Sequence, residues 1–259
     1  MSCCAFKPFL KGDVTVDNAQ KVQLDIRLEE GSSLNTLGDD PGTLAAIVRK
    51  RSAIPPGPVP RTPEGKPDLS GLWLVNEELY PDERPALPWA AALAKERIAN
   101  EVKDHPHGRC LPAGPPIPGS APPFLTKFVQ TPTLLVILFE DVPGFRQVFL
   151  DGRSHPADPN PSWVGHSIGK WEGNALIIDT VGFNDRGWMD IYPRTEKLHI
   201  IERYSRPDVG HLDVEVTVED QGVFQKPWKM IMKWDLAPQE DLLEYVCENN
   251  KFLENTEDN

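Results

Sequence analysis

The chain has 259 residues, 27 basic and 39 acidic, with a formal net charge of −12. That length allows one large β domain with an appendage. The acidic balance, broken only by the short basic run Arg49, Lys50 and Arg51, excludes a surface built to neutralise phosphates, so no nucleic-acid partner is expected. No window of about 18 apolar residues exists, and the opening lacks the basic and apolar regions of an export signal; no membrane insertion and a cytoplasmic location are expected.

Residues 12–30 alternate around Asp17 and Asn18, which predicts two short strands too few to bury a core alone. Residues 43–51 follow the acidic start signal Asp39, Asp40 and Pro41 and predict a helix of about two turns with basic residues at its C-terminus. The proline-rich residues 54–68 predict an extended linker. The expected organisation is an N-terminal appendage over 1–53, that linker, a main domain over 69–250 and an acidic tail over 251–259. A first strand is predicted at 69–75. A helix is predicted at 89–103, with Leu93, Ile98 and Val102 at roughly helical spacing. Residues 104–123 hold too many prolines and glycines for regular structure and are expected to wrap the surface or close a cavity.

From Phe124 onward the pattern is β. Strands are predicted at 127–139, 145–150, 165–171, 175–183, 197–205, 212–219, 226–236 and 242–247, mostly joined by short connections. The clearest alternation sets Leu212, Val214, Val216 and Val218 inward against Asp213, Glu215, Thr217 and Glu219 outward. With the strand at Trp73 this makes nine strands. The expected class is mainly β: an antiparallel up-and-down, lipocalin-like barrel with one or two peripheral helices and the short N-terminal appendage, because closure removes exposed edges. An open twisted sheet or sandwich is the alternative.

Chemistry concentrates in residues 162–188. Trp171, Glu172, Gly173 and Asn174 predict a hairpin turn, and His155, Trp163, His166, Glu172, Asp179, Asp185 and Trp188 converge if the sheet curls. A neutral histidine beside a carboxylate is the usual general base. His155 or His166 is therefore the candidate base, with Asp151 or Glu172 as its orienting carboxylate; turn-capping and strand hydrogen bonds are the alternative roles of both histidines. Arg146 and Glu202 fall on the inward faces of their strands. Paired, they are structural; an open Arg146 suits an anionic ligand group. Trp163 and Trp188 lie in predicted loops and, with Asp179, are candidate ligand contacts, whereas Trp228 and Trp234 are expected in the core.

His105, His107 and Cys110 offer three metal-ligand types within six residues, but such clusters in loops are common accidents, and no metal is expected. Cys3, Cys4, Cys110 and Cys247 match neither a zinc nor a redox spacing. Buried free thiols are the default reading of Cys110 and Cys247, with a disulfide between them as the alternative. No serine-hydrolase elbow, phosphate loop, dinucleotide fingerprint or HExxH motif is present, and no cofactor is expected.

The run LSGLW at Leu69, Cys110 with Leu111 and Pro112, DGRSHP at Asp151, SWVGHSIGKWEGNALIIDTVGFND at Ser162, IIERYSR at Ile200, KPW at Lys226 and EYVCENN at Glu244 resembles a widespread family of uncharacterised bacterial proteins with a WEGD-TL-V-DT-GF core. The resemblance spans about residues 67–250. It implies a shared fold more than an activity, and it leaves export open because many members are exported. Two positions depart from its pattern: Asn174 stands where that core has Asp, and Pro193-Arg194-Thr195-Glu196 stands where relatives read PHSE. Gly71 and Trp73 also resemble the start of a lipocalin, whose tryptophan plugs one barrel end, and residues 10–50 resemble the tail of a carboxypeptidase-regulatory-like domain, a resemblance that implies a natural start upstream of residue 1. The function expected is a cofactor-independent lyase, isomerase or hydrolase using acid-base chemistry on a small organic molecule. A binding protein for a small apolar or anionic ligand, or an accessory interaction module, is the alternative. Substrate and oligomeric state are not legible.

Overall fold

The computed structural model describes residue 54 and residues 57–81, 84–100, 102–112, 114–116, 124–140 and 144–244. The strands and helix expected before residue 52, Cys247 and the acidic tail lie outside the described residues.

In chain order the strands are β1 (Gly71–Leu79), β2 (Thr126–Gln130), β3 (Leu134–Phe139), β4 (Gly144–Phe149), β5 (His166–Glu172), β6 (Ala175–Val181), β7 (Trp188–Met189), β8 (Tyr192–Pro193), β9 (His199–Ser205), β10 (His211–Glu219) and β11 (Trp228–Leu236). Nine of them close into a barrel in the order β1-β11-β10-β9-β6-β5-β4-β3-β2, while β7 and β8 form a separate two-stranded ribbon. The barrel is consistent with a lipocalin-like architecture.

The expected count of nine is met by different strands. The single strand expected at 127–139 is a hairpin: Thr131 and Leu134 exchange backbone and hydroxyl hydrogen bonds across the turn, and Pro132 there has no N–H to give a ladder. Residues 242–244, the described part of the last expected strand, are not in a strand. The barrel is also not up-and-down throughout. β4 and β5 pair in parallel, through Val148 with Ser167 and Phe149 with Ile168; parallel neighbours cannot be joined by a tight turn, so residues 150–165 return the chain along the barrel.

Alternation sets the core. Leu212, Val214, Val216 and Val218 of β10 and Met230, Met232 and Trp234 of β11 are all buried, and Trp228 is 5% exposed. Trp73 is fully buried, donates its indole N–H to the Leu69 carbonyl at 3.0 Å and is covered by the Arg206 guanidinium 4.9 Å from the ring. Arg206 in turn donates to the backbone carbonyls of Asp68, Asp208 and Val209. Cation-π attraction and a guanidinium that donates through all three nitrogens thus fix β1 to the chain after β9.

The helix α1 (Pro88–Ala99) begins at a proline suited to the first turn and ends before the expected residue 103, with Val102 at a φ of 53°. Its buried residues are Ala90 and Ala94, one turn apart, and Ile98 is 57% exposed, as suits a peripheral helix. The small side chains let the helix approach closely. Residues 57–68 turn back on themselves, with Arg61 bridging to Pro67, Val209 N–H bonded to the Gly57 carbonyl and Arg61 bonded to Asn174. Cys110 is disulfide-bonded, which corrects the free-thiol reading at that position and removes its thiolate from any metal site.

Candidate functional site

Two polar groups lie on opposite sides of the barrel wall. Strand parity decides which residue goes where, because successive side chains face opposite ways.

Inside, Arg146 of β4 and Glu202 of β9 are 3% and 0% exposed. The guanidinium donates to Glu202 Oε1 at 3.1 Å and, through its other terminal nitrogen, to Glu202 Oε2. It also donates to the Ser167 hydroxyl at 2.9 Å and the Thr180 hydroxyl at 2.7 Å, and Tyr204 donates to Glu202 Oε1 at 2.9 Å. Burial and the neighbouring carboxylate both raise the Tyr204 pKa well above its usual value, so its proton stays in place. Arg146 therefore carries a compensated charge inside the wall, not an open one.

Outside, β6 buries Leu176, Ile178 and Thr180 and so turns Asp179 outward; β9 buries Ile200 and Glu202 and turns His199 outward. The β6–β9 register brings Asp179 opposite Ile201, next to His199. On the other side of Asp179 lies His155, carried by the return segment. The result is a chain of five groups. His155 Nε2 and His199 Nε2 each lie 3.0 Å from Asp179 Oδ1, His155 Nδ1 lies 2.9 Å from His166 Nδ1, and His199 Nδ1 lies 3.3 Å from Glu219 Oε2. The His166 ring stacks on Phe149 with centroids 5.4 Å apart, and Arg153 sits over the other ring of that stack, 3.9 Å from the Phe149 centroid.

The hydrogen bonds set the tautomers. A carboxylate only accepts, so the Nε2–H groups of His155 and His199 both donate to Asp179. Neutral His155 then has a bare Nδ1, which accepts the Nδ1–H of His166, and neutral His166 has its lone pair on Nε2. Hydrogen bonds from His199 and then His155 hold the Asp179 pKa below its ordinary value. His199 is raised, chiefly by its bond to Asp179 and further by Glu219. His166 is lowered, first by burial and then by His155 and Arg153, which favours the neutral imidazole.

Of the residues singled out from sequence, His155, His166 and Asp179 meet. Asp151 does not reach the imidazoles; its carboxylate accepts from Arg153 Nε at 2.9 Å. Glu172 stands at the far end of β5 from His166, about 20 Å away by strand rise, and faces Arg203 at 3.6 Å. The carboxylate bonded to the imidazoles is Asp179, not Asp151 or Glu172. His199 and Glu219 went unnoticed. Their outward parity is visible in the alternation of β9 and β10, but only strand register places them beside Asp179.

Trp163 is half-buried, with the Arg194 guanidinium 5.7 Å from its ring. Trp188 lines a cleft of about 460 Å³ between α1, residues 104–111 and Arg186. Arg97 stacks on its ring at 3.5 Å, and His105 packs against it edge-on at 4.9 Å. No residue of the histidine chain lines this cleft.

Fold and site together define a closed, mainly antiparallel barrel with a buried ion pair inside its wall and a histidine-carboxylate chain outside it. No protein-family model matches the chain, and no curated protein does. Among solved structures it is similar to a mutant of the fluorescent protein UnaG, at 10% identity over 66% of this chain and 97% of that one, with a TM-score of 0.33. The barrel assignment rests on strand pairing, not on that likeness.

Proposed function

We propose that the protein is an enzyme that moves a proton on a small organic substrate without a cofactor, with His166 as general base. The observation that carries this reading is the ordered chain from Asp179 through His155 to His166, which leaves a lone pair on His166 Nε2. When that nitrogen takes a proton, the imidazolium keeps its Nδ1–H bond to His155, and Asp179 stabilises the charge through the intervening ring. His155 and Asp179 act as positioning residues. The lowered His166 pKa keeps the base in its neutral form at neutral pH. The reaction class is lyase, isomerase or hydrolase. The test is a turnover screen on the purified chain, followed by His166→Gln and His155→Phe. A positioned base contributes roughly 10²–10⁴-fold, so both variants are expected to lose at least a hundredfold in kcat, with thermal unfolding measured alongside to show that each is folded at the assay temperature. Turnover equal to that of the parent protein in both variants refutes the reading.

A second reading is favoured by the cleft at Trp188: a protein that holds a small ligand and releases it unaltered. Its volume lies within the roughly 300–1,000 Å³ of ordinary small-molecule sites, and it is separate from the histidine chain.

A further inference from the structure

We propose that the cleft between α1 and Arg186 is a binding site for a monoanionic aromatic carboxylate, with Arg186 as its anion anchor. This rests on the binding reading of the cleft and is independent of proton transfer at His166.

Charge in the cleft runs against that of the chain. The protein carries −12 overall, yet the cleft is lined by the guanidinium groups of Arg97, Arg109 and Arg186 against the carboxylates of Glu96 and Asp104, which is three positive charges to two negative. The three cations are not equivalent. Arg109 is neutralised by Asp104 at 3.1 Å. Arg97 is committed to the wall: it donates to the Ile191 carbonyl at 2.9 Å and lies flat on Trp188, and burial lowers its pKa to about 10. Arg186 is exposed, and among the described residues its side chain makes no hydrogen bond or ion pair. Its backbone N–H is fixed instead, by the Asn184 side chain at 3.2 Å, which holds the residue at the cleft.

The rest of the lining is the amide of Asn100 and an apolar wall. Leu93, Pro106, Leu111 and Trp188 supply it, and such walls suit a planar hydrocarbon body better than a sugar or a polyanion. One excess positive charge matches one carboxylate, and the fork of a guanidinium meets a carboxylate in bidentate fashion. A di- or triphosphate would meet Glu96 and Asp104 with charge it cannot place.

Calorimetric titration with 2-naphthoate and with its uncharged analogue 2-naphthalenemethanol tests this on the full chain and on Arg186→Gln, whose side chain is at the surface and whose thermal transition is measured alongside. Saturable binding of 2-naphthoate is expected, weakened at least tenfold in Arg186→Gln, the size of one charge-assisted contact, and at least tenfold weaker for the alcohol. Equal affinity of Arg186→Gln and parent chain for 2-naphthoate, or equal affinity of parent chain for acid and alcohol, overturns the carboxylate assignment and leaves the cleft as an apolar site. Absence of binding by both compounds up to millimolar concentration overturns the binding reading itself.

Discussion

Glu202→Gln is the sharpest test of how the barrel interior is held. In the folded protein Glu202 has no exposed surface, Arg146 is 3% exposed, and the two meet through both guanidinium terminal nitrogens. The substitution keeps side-chain volume and an acceptor oxygen, so Ser167, Thr180 and one Arg146 contact persist. What it removes is the charge that compensates a buried guanidinium. Breaking one partner of such a pair costs about 3–5 kcal/mol. The double variant Arg146→Met with Glu202→Leu removes both charges. Ser167 and Thr180 still satisfy each other at 3.0 Å, but Tyr204 loses its acceptor, which costs about 1–3 kcal/mol. The double variant is therefore expected to be more stable than Glu202→Gln. Urea unfolding followed by tryptophan fluorescence measures both, with comparison made at constant m. A loss under about 1 kcal/mol in Glu202→Gln, or a double variant less stable than the single one, refutes the picture of a dry interior holding one compensated pair.

Titration of His199 gives a second expectation. Its folded pKa is raised above 6.5, so the folded state binds the extra proton and gains stability that is fully present below 6.5 and lost as pH rises through the folded value. In His199→Gln the fall in stability across that window is expected to flatten, as read from unfolding midpoints between pH 6 and 9; an unchanged slope counts against the assignment. At the two turns flanking β5, Gly173 has a φ of +60° with nothing near an added Cβ, whereas Gly165 has a φ of +69° and a Cβ there meets Thr180 Cγ2 at 2.7 Å and the Val181 carbonyl at 2.8 Å. Gly173→Ala is expected to cost about 1 kcal/mol from backbone strain alone, and Gly165→Ala clearly more, since backbone must also shift; equal losses in denaturant unfolding contradict the geometry. Arg206→Leu leaves three backbone carbonyls without their donor and uncovers Trp73. The expected loss is about 2–4 kcal/mol, and a variant within 0.5 kcal/mol of the parent, on about the scale of ordinary surface substitutions, removes Arg206 as the fastening of that barrel end.

Much of this was legible from period-two alternation. Leu212 to Val218 announced a half-buried strand, and the same counting put Arg146 and Glu202 inside. Alternation does not encode which strands are neighbours. Val129 and Val136 lie in one long β-prone stretch, and the polar run Gln130-Thr131-Pro132-Thr133 within it is the sequence signal of the hairpin. The parallel contact of β4 with β5 depends on where residues 150–165 lie, which no local pattern encodes. Sequence brings the histidines and a carboxylate into one region but not to one side of the wall; with Ser167 and Thr180 buried, parity turns His166 and Asp179 outward. Register then chose Asp179 over Asp151 and Glu172 as the carboxylate, and added His199. In the helix, Leu93 and Ile98 drew attention by size, yet it is the two alanines that face the protein.

The join between β4 and β5 is only two residue pairs long, and side chains help to clasp it: Phe149 from one strand lies on His166 from the other, and His166 is tied back to the return segment through His155. That clasp depends on one imidazole nitrogen accepting. If both rings are protonated, each Nδ1 carries a hydrogen, no acceptor remains between them, and two like charges face each other at close range. A seam of two residue pairs is thus held by ring stacking and one N–H···N contact, where the neighbouring strand pairs are held by full ladders.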